Sequence, residues 1–150
     1  MVIWWIDENR LAGGPNPDPA TLEALKARGF RTIVSLLDET EQRRNYGKGD
    51  AARLGLAFHS IQILDFHAPS QDQFQGFLRF VAERLETGSI LVHCQGGLGR
   101  TGTMGAAYWI WKGLSAEEAL ARIRQVRPGA VESPDQQASL DDLERALRRA

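Results

Sequence analysis

The sequence predicts an α/β fold: a mainly parallel central sheet flanked by helices on both faces. Two observations lead there. Short β-prone runs alternate along the chain with segments whose apolar residues recur at helical spacing, the pattern of strand–helix–strand units. Three of the helical segments also open on a serine followed three residues later by Gln or Glu, a reciprocal cap that marks a helix start: Ser70 with Gln73, Ser115 with Glu118, and Ser133 with Gln136.

Taken in order, residues 2–6 form an apolar, β-prone first strand in which Trp4 and Trp5 pack against the core or an edge. Gly13-Gly14-Pro15-Asn16-Pro17 is expected to break structure. Asp18 then caps a helix, Pro19 occupies its first turn and Gly29 stops it. The β-branched content of residues 32–37 marks a buried strand. A short helix over 50–54 and a strand over 58–63 with alternating faces follow. Phe74, Phe77, Leu78, Val81 and Leu85 fall on one face of the long helix opened by Ser70. Residues 89–93 form a strand that runs into a glycine-rich loop, and a helix starts near Thr101 and ends at Gly113. The Ser115 helix stops at Pro128, and the last helix turns Leu140, Leu143 and Leu147 inward. With no repeat, low-complexity tract or linker, residues 1–150 are expected to form a single domain.

Composition narrows the partners. Of 150 residues, 43% are hydrophobic and 25% charged, with 18 basic against 19 acidic side chains and a net charge of −1. Such a balance argues against a general binder of nucleic acid or membrane surfaces, which carries a basic excess. Any affinity for anions must therefore be local. One cysteine cannot form an internal disulfide, the opening lacks the basic start of a signal peptide, and the longest apolar stretch, 102–111, is about half of a membrane span. The expectation is a cytoplasmic monomer. His59, His67 and His93 form no familiar ligand spacing with carboxylates, so neither metal nor cofactor is expected.

The chemistry concentrates in Ile90-Leu91-Val92-His93-Cys94-Gln95-Gly96-Gly97-Leu98-Gly99-Arg100-Thr101-Gly102. A buried strand ends in Cys94, five residues follow, and Arg100 enters a helix. Three glycines among Gln95, Gly96, Gly97, Leu98 and Gly99 let the backbone curl so that its N–H groups point inward. The following helix adds the positive end of its dipole, and Arg100 can offer two parallel N–H bonds to an oxyanion. Together they make a phosphate cradle around a nucleophilic thiolate. The competing reading, Cys94 as a small buried hydrophobe, leaves this coincidence of strand, glycine turn and helix-leading Arg unexplained. His93 reads as a core histidine that bonds the loop backbone in a supporting role.

This segment resembles the signature of the cysteine-dependent protein phosphatases, most closely that of the small atypical dual-specificity phosphatases of bacterial and archaeal type. Its five-residue gap separates it from the rhodanese sulfurtransferases. Ala12-Gly13-Gly14-Pro15, the Asp65 loop and Arg127-Pro128-Gly129-Ala130-Val131 are similar to other stretches of those small enzymes. The resemblance implies hydrolysis of phosphate monoesters through a phosphocysteine on Cys94, with phosphate held by residues 95–99 and Arg100. It implies Asp65, 29 residues before Cys94, as the general acid in preference to Asp72 or Asp38. Thr101 matches a hydroxyl that helps the thiolate leave. Gln136 matches a residue that positions water, although it is equally placed to cap its helix. The pH profile implied is a bell with an acidic optimum.

The larger tyrosine-specific enzymes that it resembles carry a long recognition loop that deepens the pocket. A chain of 150 residues has little room for one, so the resemblance implies a shallow cleft, open to phosphotyrosine and also to phosphoserine and phosphothreonine in proteins or peptides. Arg43-Arg44-Asn45-Tyr46 reads as a solvated polar turn. The uncharged loop 95–99 disfavours inositol phosphates as substrates, and the missing basic surplus disfavours RNA. A phosphate-binding module without turnover is the alternative from a different functional class.

Overall fold

The computed structural model describes residues 2–42 and 45–149. Five strands, β1 (Trp4–Asp7), β2 (Leu11–Gly14), β3 (Phe30–Ser35), β4 (Ala57–Ser60) and β5 (Ser89–His93), form one sheet in the order β1-β2-β5-β3-β4. All pairings are parallel except β1 with β2. The central strand, β5, is flanked at its carboxyl end by β2 and β3, with His93 opposite both Gly14 and Ser35.

Helices cover both faces, as the alternation of elements predicts. On one face lie α1 (Pro19–Ala27) and α3 (Lys48–Arg53), closing a core of Leu22, Leu25, Phe30, Ile33, Ala51 and Leu91. On the other lie α4 (Gln71–Arg84), α5 (Gly99–Trp111), α6 (Ala116–Val126) and α7 (Pro134–Arg149). Helix α5, buried along most of its length, is the hub of that larger core, which includes Phe74, Phe77, Val92, Met104 and Tyr108. One further helical turn, α2 (Glu39–Gln42), follows β3. Among the described residues no helix is long and apolar enough to cross a membrane.

The capping residues act as their sequence implies. Asp18 accepts from the Thr21 N–H at 2.8 Å, and the Ser70 and Ser115 boxes are reciprocal.

Five expectations need correction. Gly13 and Gly14 do not break structure but lie in β2. A Cβ on Gly13 would come within 2.8 Å of both Trp4 and Thr101, so glycine serves close approach there. The strand expected over 58–63 is only Ala57–Ser60: its pairing with β3 ends there, while Ile61 and Ile63 beyond it turn their side chains into the larger core. The helix expected over 50–54 begins earlier, at Lys48, and the helix expected near Thr101 begins at Gly99. Finally, 43–46 is not a solvated turn as a whole: Tyr46 is buried beneath the sheet, while Arg43 and Arg44 lie outside the described residues.

Candidate active site

The loop between β5 and α5 wraps around Cys94, which is 3% exposed. Its Sγ accepts the Gly97 N–H at 3.3 Å and the Thr101 hydroxyl at 3.0 Å. Two donors thus converge on one sulfur, and the first turn of α5 directs its dipole at the same point. Gly97 is required by geometry: its φ is +76°, and a Cβ there would lie 2.7 Å from the Gly14 carbonyl carbon. The loop is tied down from outside, with the Gln95 carbonyl accepting the Asn16 N–H at 3.1 Å and the Leu98 carbonyl accepting the Val131 N–H at 3.2 Å.

His93 lies directly behind the cysteine and is wholly buried. Its Nδ1 is 3.3 Å from the Cys94 carbonyl, which can only accept, so Nδ1 carries the proton. The Nε2 therefore accepts from the Tyr46 hydroxyl, 2.5 Å away. Burial pushes the His93 pKa down to about 4 and raises that of Tyr46, so neutral imidazole and protonated phenol are the forms this pair requires. The chain Tyr46–His93–Cys94 carbonyl fixes the backbone at the point where the strand becomes the loop.

Arg100 is 1% exposed and faces a carboxylate the sequence reading missed. Its Nη1 and Nη2 donate to Glu41 Oε1 and Oε2 at 2.7 and 2.9 Å, and Nη1 also donates to the Ile63 carbonyl at 2.8 Å. Burial opposes the guanidinium charge, but hydrogen bonding to Glu41 and the nearby negative charges raise its pKa above the ordinary value. The Nε is buried and has no partner among the described residues. That group is the donor left for an oxyanion, together with Nη2, which otherwise faces only the more distant Asp65 carboxylate at 3.5 Å. A buried Arg demands a carboxylate, but nothing local distinguishes Glu41 from Asp38 and Glu39 beside it. Tyr46 left a fainter sign, a lone aromatic in a polar run.

Asp65 stands at the rim, half exposed, with Oδ1 3.5 Å from Arg100 Nη2. The geometry brings it to Arg100, whereas Asp72 sits in the first turn of α4 and Asp38 caps α2 by accepting the Glu41 N–H at 3.0 Å. Exposed Leu64 and Phe66 flank Asp65. Gln136, fully buried, fills the cap role: its Oε1 accepts the Ser133 N–H at 3.1 Å, and the Ser133 hydroxyl accepts the Gln136 N–H at 3.2 Å. It also donates from Nε2 to the His67 carbonyl at 3.2 Å, while the Ser133 hydroxyl donates to the Phe66 carbonyl at 2.7 Å. The start of α7 thus holds the Asp65 loop. Glu132 reaches over the signature loop, since a Cβ on Gly99 would lie 2.6 Å from its Oε1.

The chain is similar to known proteins. Residues 10–114 match a family model described as a DSP-PTPase phosphatase of polymorphic toxin systems. The chain is 32% identical over 134 residues to the tyrosine-protein phosphatase cdcA of Emericella nidulans, covering 87% of this chain and 22% of that protein. It is 36% identical over 118 residues to the dual specificity protein phosphatase CDC14C of Symphalangus syndactylus, covering 77% and 23%. The chain therefore spans less than a quarter of the length of these curated relatives. The crystal structure of Tk-PTP in its active form superposes with a TM-score of 0.89 at 37% identity, covering 95% of this chain and 96% of that one. The family match covers β2 to β5 and the cysteine loop, and the chain belongs to the dual-specificity (DSP-PTPase) phosphatase family.

Proposed function

We propose that this protein hydrolyses phosphate monoesters on phosphorylated proteins or peptides, phosphotyrosine foremost, through a phosphocysteine on Cys94. The observation that carries this reading is the buried Cys94 Sγ, held by two donors in the same loop that ends at Arg100.

In the first step Cys94 Sγ attacks phosphorus, the ester P–O bond breaks, and Asp65 gives its proton to the departing oxygen. Backbone N–H groups of residues 95–99, with the Nε and Nη2 of Arg100, take up the charge on the phosphoryl oxygens. In the second step water attacks phosphorus, Asp65 accepts its proton, and the S–P bond breaks. The Thr101 hydroxyl, already on Sγ, stabilises the thiolate as it leaves. Gln136 supports this site by holding the acid loop, since its amide is committed to the His67 carbonyl and two backbone N–H groups.

Two substrate classes compete. Exposed Leu64 and Phe66 beside Asp65 favour an aromatic or apolar neighbour of the phosphate. The Glu132 carboxylate near Gly99 adds a like charge where a polyanionic inositol phosphate would carry its other groups. Phosphopeptides are thus the favoured class.

The test is hydrolysis of an aryl phosphate from pH 4 to 8 with chelator present, using wild type, Cys94→Ser and Asp65→Asn, with phosphopeptides and an inositol phosphate alongside. The expected result is metal-independent turnover absent in Cys94→Ser, and a bell-shaped profile whose alkaline limb disappears in Asp65→Asn at a rate lower by about 10²–10⁴. Tight binding of phosphopeptide with no turnover by wild type would replace this reading with that of a binding module.

A further inference from the structure

Beyond Cys94, Arg100 and Asp65, the loop depends on which way its peptide groups face. A cradle of N–H groups works only if each matching carbonyl points out of it, because a peptide unit is planar and trans, with its C=O and N–H opposed. Three loop carbonyls have outside partners. Gln95 accepts from the Asn16 N–H, Leu98 from the Val131 N–H, and Gly97 from the indole Nε1–H of Trp4 at 3.3 Å, across 93 residues of sequence. The first two donors are backbone and persist under substitution. The third is a side chain, and it acts where the loop is least constrained, next to the Gly96-Gly97 pair.

Trp4 is built into this position. It is 7% exposed, on the edge strand β1, in register with Gly13 of β2. Its ring lies so close to Gly13 that a Cβ there would sit 2.8 Å from ring carbons Cε2 and Cζ2, and 2.8 Å from Thr101 Cγ2. Indole, strand backbone and the residue that donates to Cys94 Sγ therefore form one layer, which leaves the ring a single orientation.

We propose that Trp4 is a positioning residue for the reaction: its indole N–H holds the Gly97 carbonyl outward and thereby aims the Leu98 N–H at the transferring phosphoryl group. This rests on the phosphatase reading above. Without that donor the Gly97–Leu98 peptide can rotate and turn a carbonyl toward the oxyanion. The penalty falls most heavily on the transition state, where the equatorial oxygens demand the donors in place.

The experiment compares Trp4→Phe with Trp5→Phe. Trp5 lies on the same strand but stacks on Phe30 at 5.6 Å, in the other core. Measured are kcat and KM for an aryl phosphate, together with the affinities for orthovanadate, which mimics the five-coordinate phosphorus, and for inorganic phosphate. In Trp4→Phe, kcat and vanadate affinity are expected to fall together by about tenfold, a fraction of what losing a whole oxyanion donor costs. KM and phosphate affinity move less than about threefold, and Trp5→Phe keeps all four values. Should Trp4→Phe melt below the assay temperature, β-(3-benzothienyl)alanine at position 4 keeps the ring shape, lacks the N–H, and must give the same paired loss. Unchanged vanadate affinity in that variant or in Trp4→Phe, or an equal loss in Trp5→Phe, overturns the proposal. Absence of turnover in wild type strikes the phosphatase reading instead, and vanadate affinity still judges Trp4.

Discussion

Arg100 carries five N–H groups, and the protein uses three of them itself, two on Glu41 and one on the Ile63 carbonyl. That commitment orients the planar fork and leaves Nε buried without a partner among the described residues. It also explains how a cation survives in a site that excludes water, since an unpaired buried charge is far costlier than a paired one. Glu41→Gln keeps the size of the side chain but removes its charge and one acceptor. We expect kcat/KM to fall by at least about tenfold, and the melting temperature to drop by several degrees, since loss of a charged hydrogen bond costs about 1.5–3 kcal/mol. Inorganic phosphate should recover part of that loss, because it supplies the missing negative charge. Calorimetric melting with and without phosphate checks this, and a variant equal to wild type in both respects would leave Glu41 without a role. Tyr46 makes a similar point. Tyr46→Phe strips the donor from His93 Nε2 and is expected to cost about 1–3 kcal/mol by denaturant unfolding.

At the scale of elements, the first turn of α7 does two things with one residue. The Gln136 Oε1 accepts backbone N–H groups from Glu132 and Ser133 and so caps the helix, while its Nε2 holds the His67 carbonyl in the loop that carries Asp65. The two tasks use different atoms and can be separated. Gln136→Glu keeps the cap's acceptor but sets a carboxylate oxygen against the His67 carbonyl, so the hold on the acid loop is lost and kcat should fall severalfold. Gln136→Ala loses both, and should unfold about 1 kcal/mol more easily as well. Equal kcat in Gln136→Glu and wild type would show that the acid loop holds its position without α7. The cap itself was legible in the sequence, because Ser133 and Gln136 lie three residues apart and their pairing needs only one helical turn. The bond to His67 was not, since it joins residues 69 apart.

Taken whole, the molecule keeps a neutral histidine at its centre, and stability should register that. Burial, with Arg100 nearby, lowers the His93 pKa from 6.5 to about 4 against the opposing bond to the Cys94 carbonyl. As pH falls below 6.5 the unfolded chain takes up a proton there, and the folded one does not until about 4. Stability is therefore intact above pH 6.5 and declines across that window, by about 3 kcal/mol for this group alone. Denaturant unfolding from pH 7.5 to 4 should show this slope, and His93→Asn should lack it; parallel curves for the two would exclude His93 as the source. Much of the architecture that buries His93 follows from short-range pattern. The apolar run into Cys94, the glycine turn, Arg100 at a helix start and the serine caps are contiguous, so local propensity and hydrogen bonding suffice to specify them. Other features required the tertiary structure. Gly13 and Gly14 read locally as breakers but lie in a strand, because a close neighbour rewards the missing side chain. Tyr46 reads as part of a polar turn but is buried, because β3 and β5 pair and bring its loop behind His93. Glu41, Tyr46 and Trp4 meet the signature segment across 59, 47 and 93 residues. Such contacts have no local periodicity and are set only when β2, β5 and β3 take adjacent places in the sheet. The sequence by itself determined the reactive loop and the elements that carry it; the strand order decided which distant side chains hold that loop in shape.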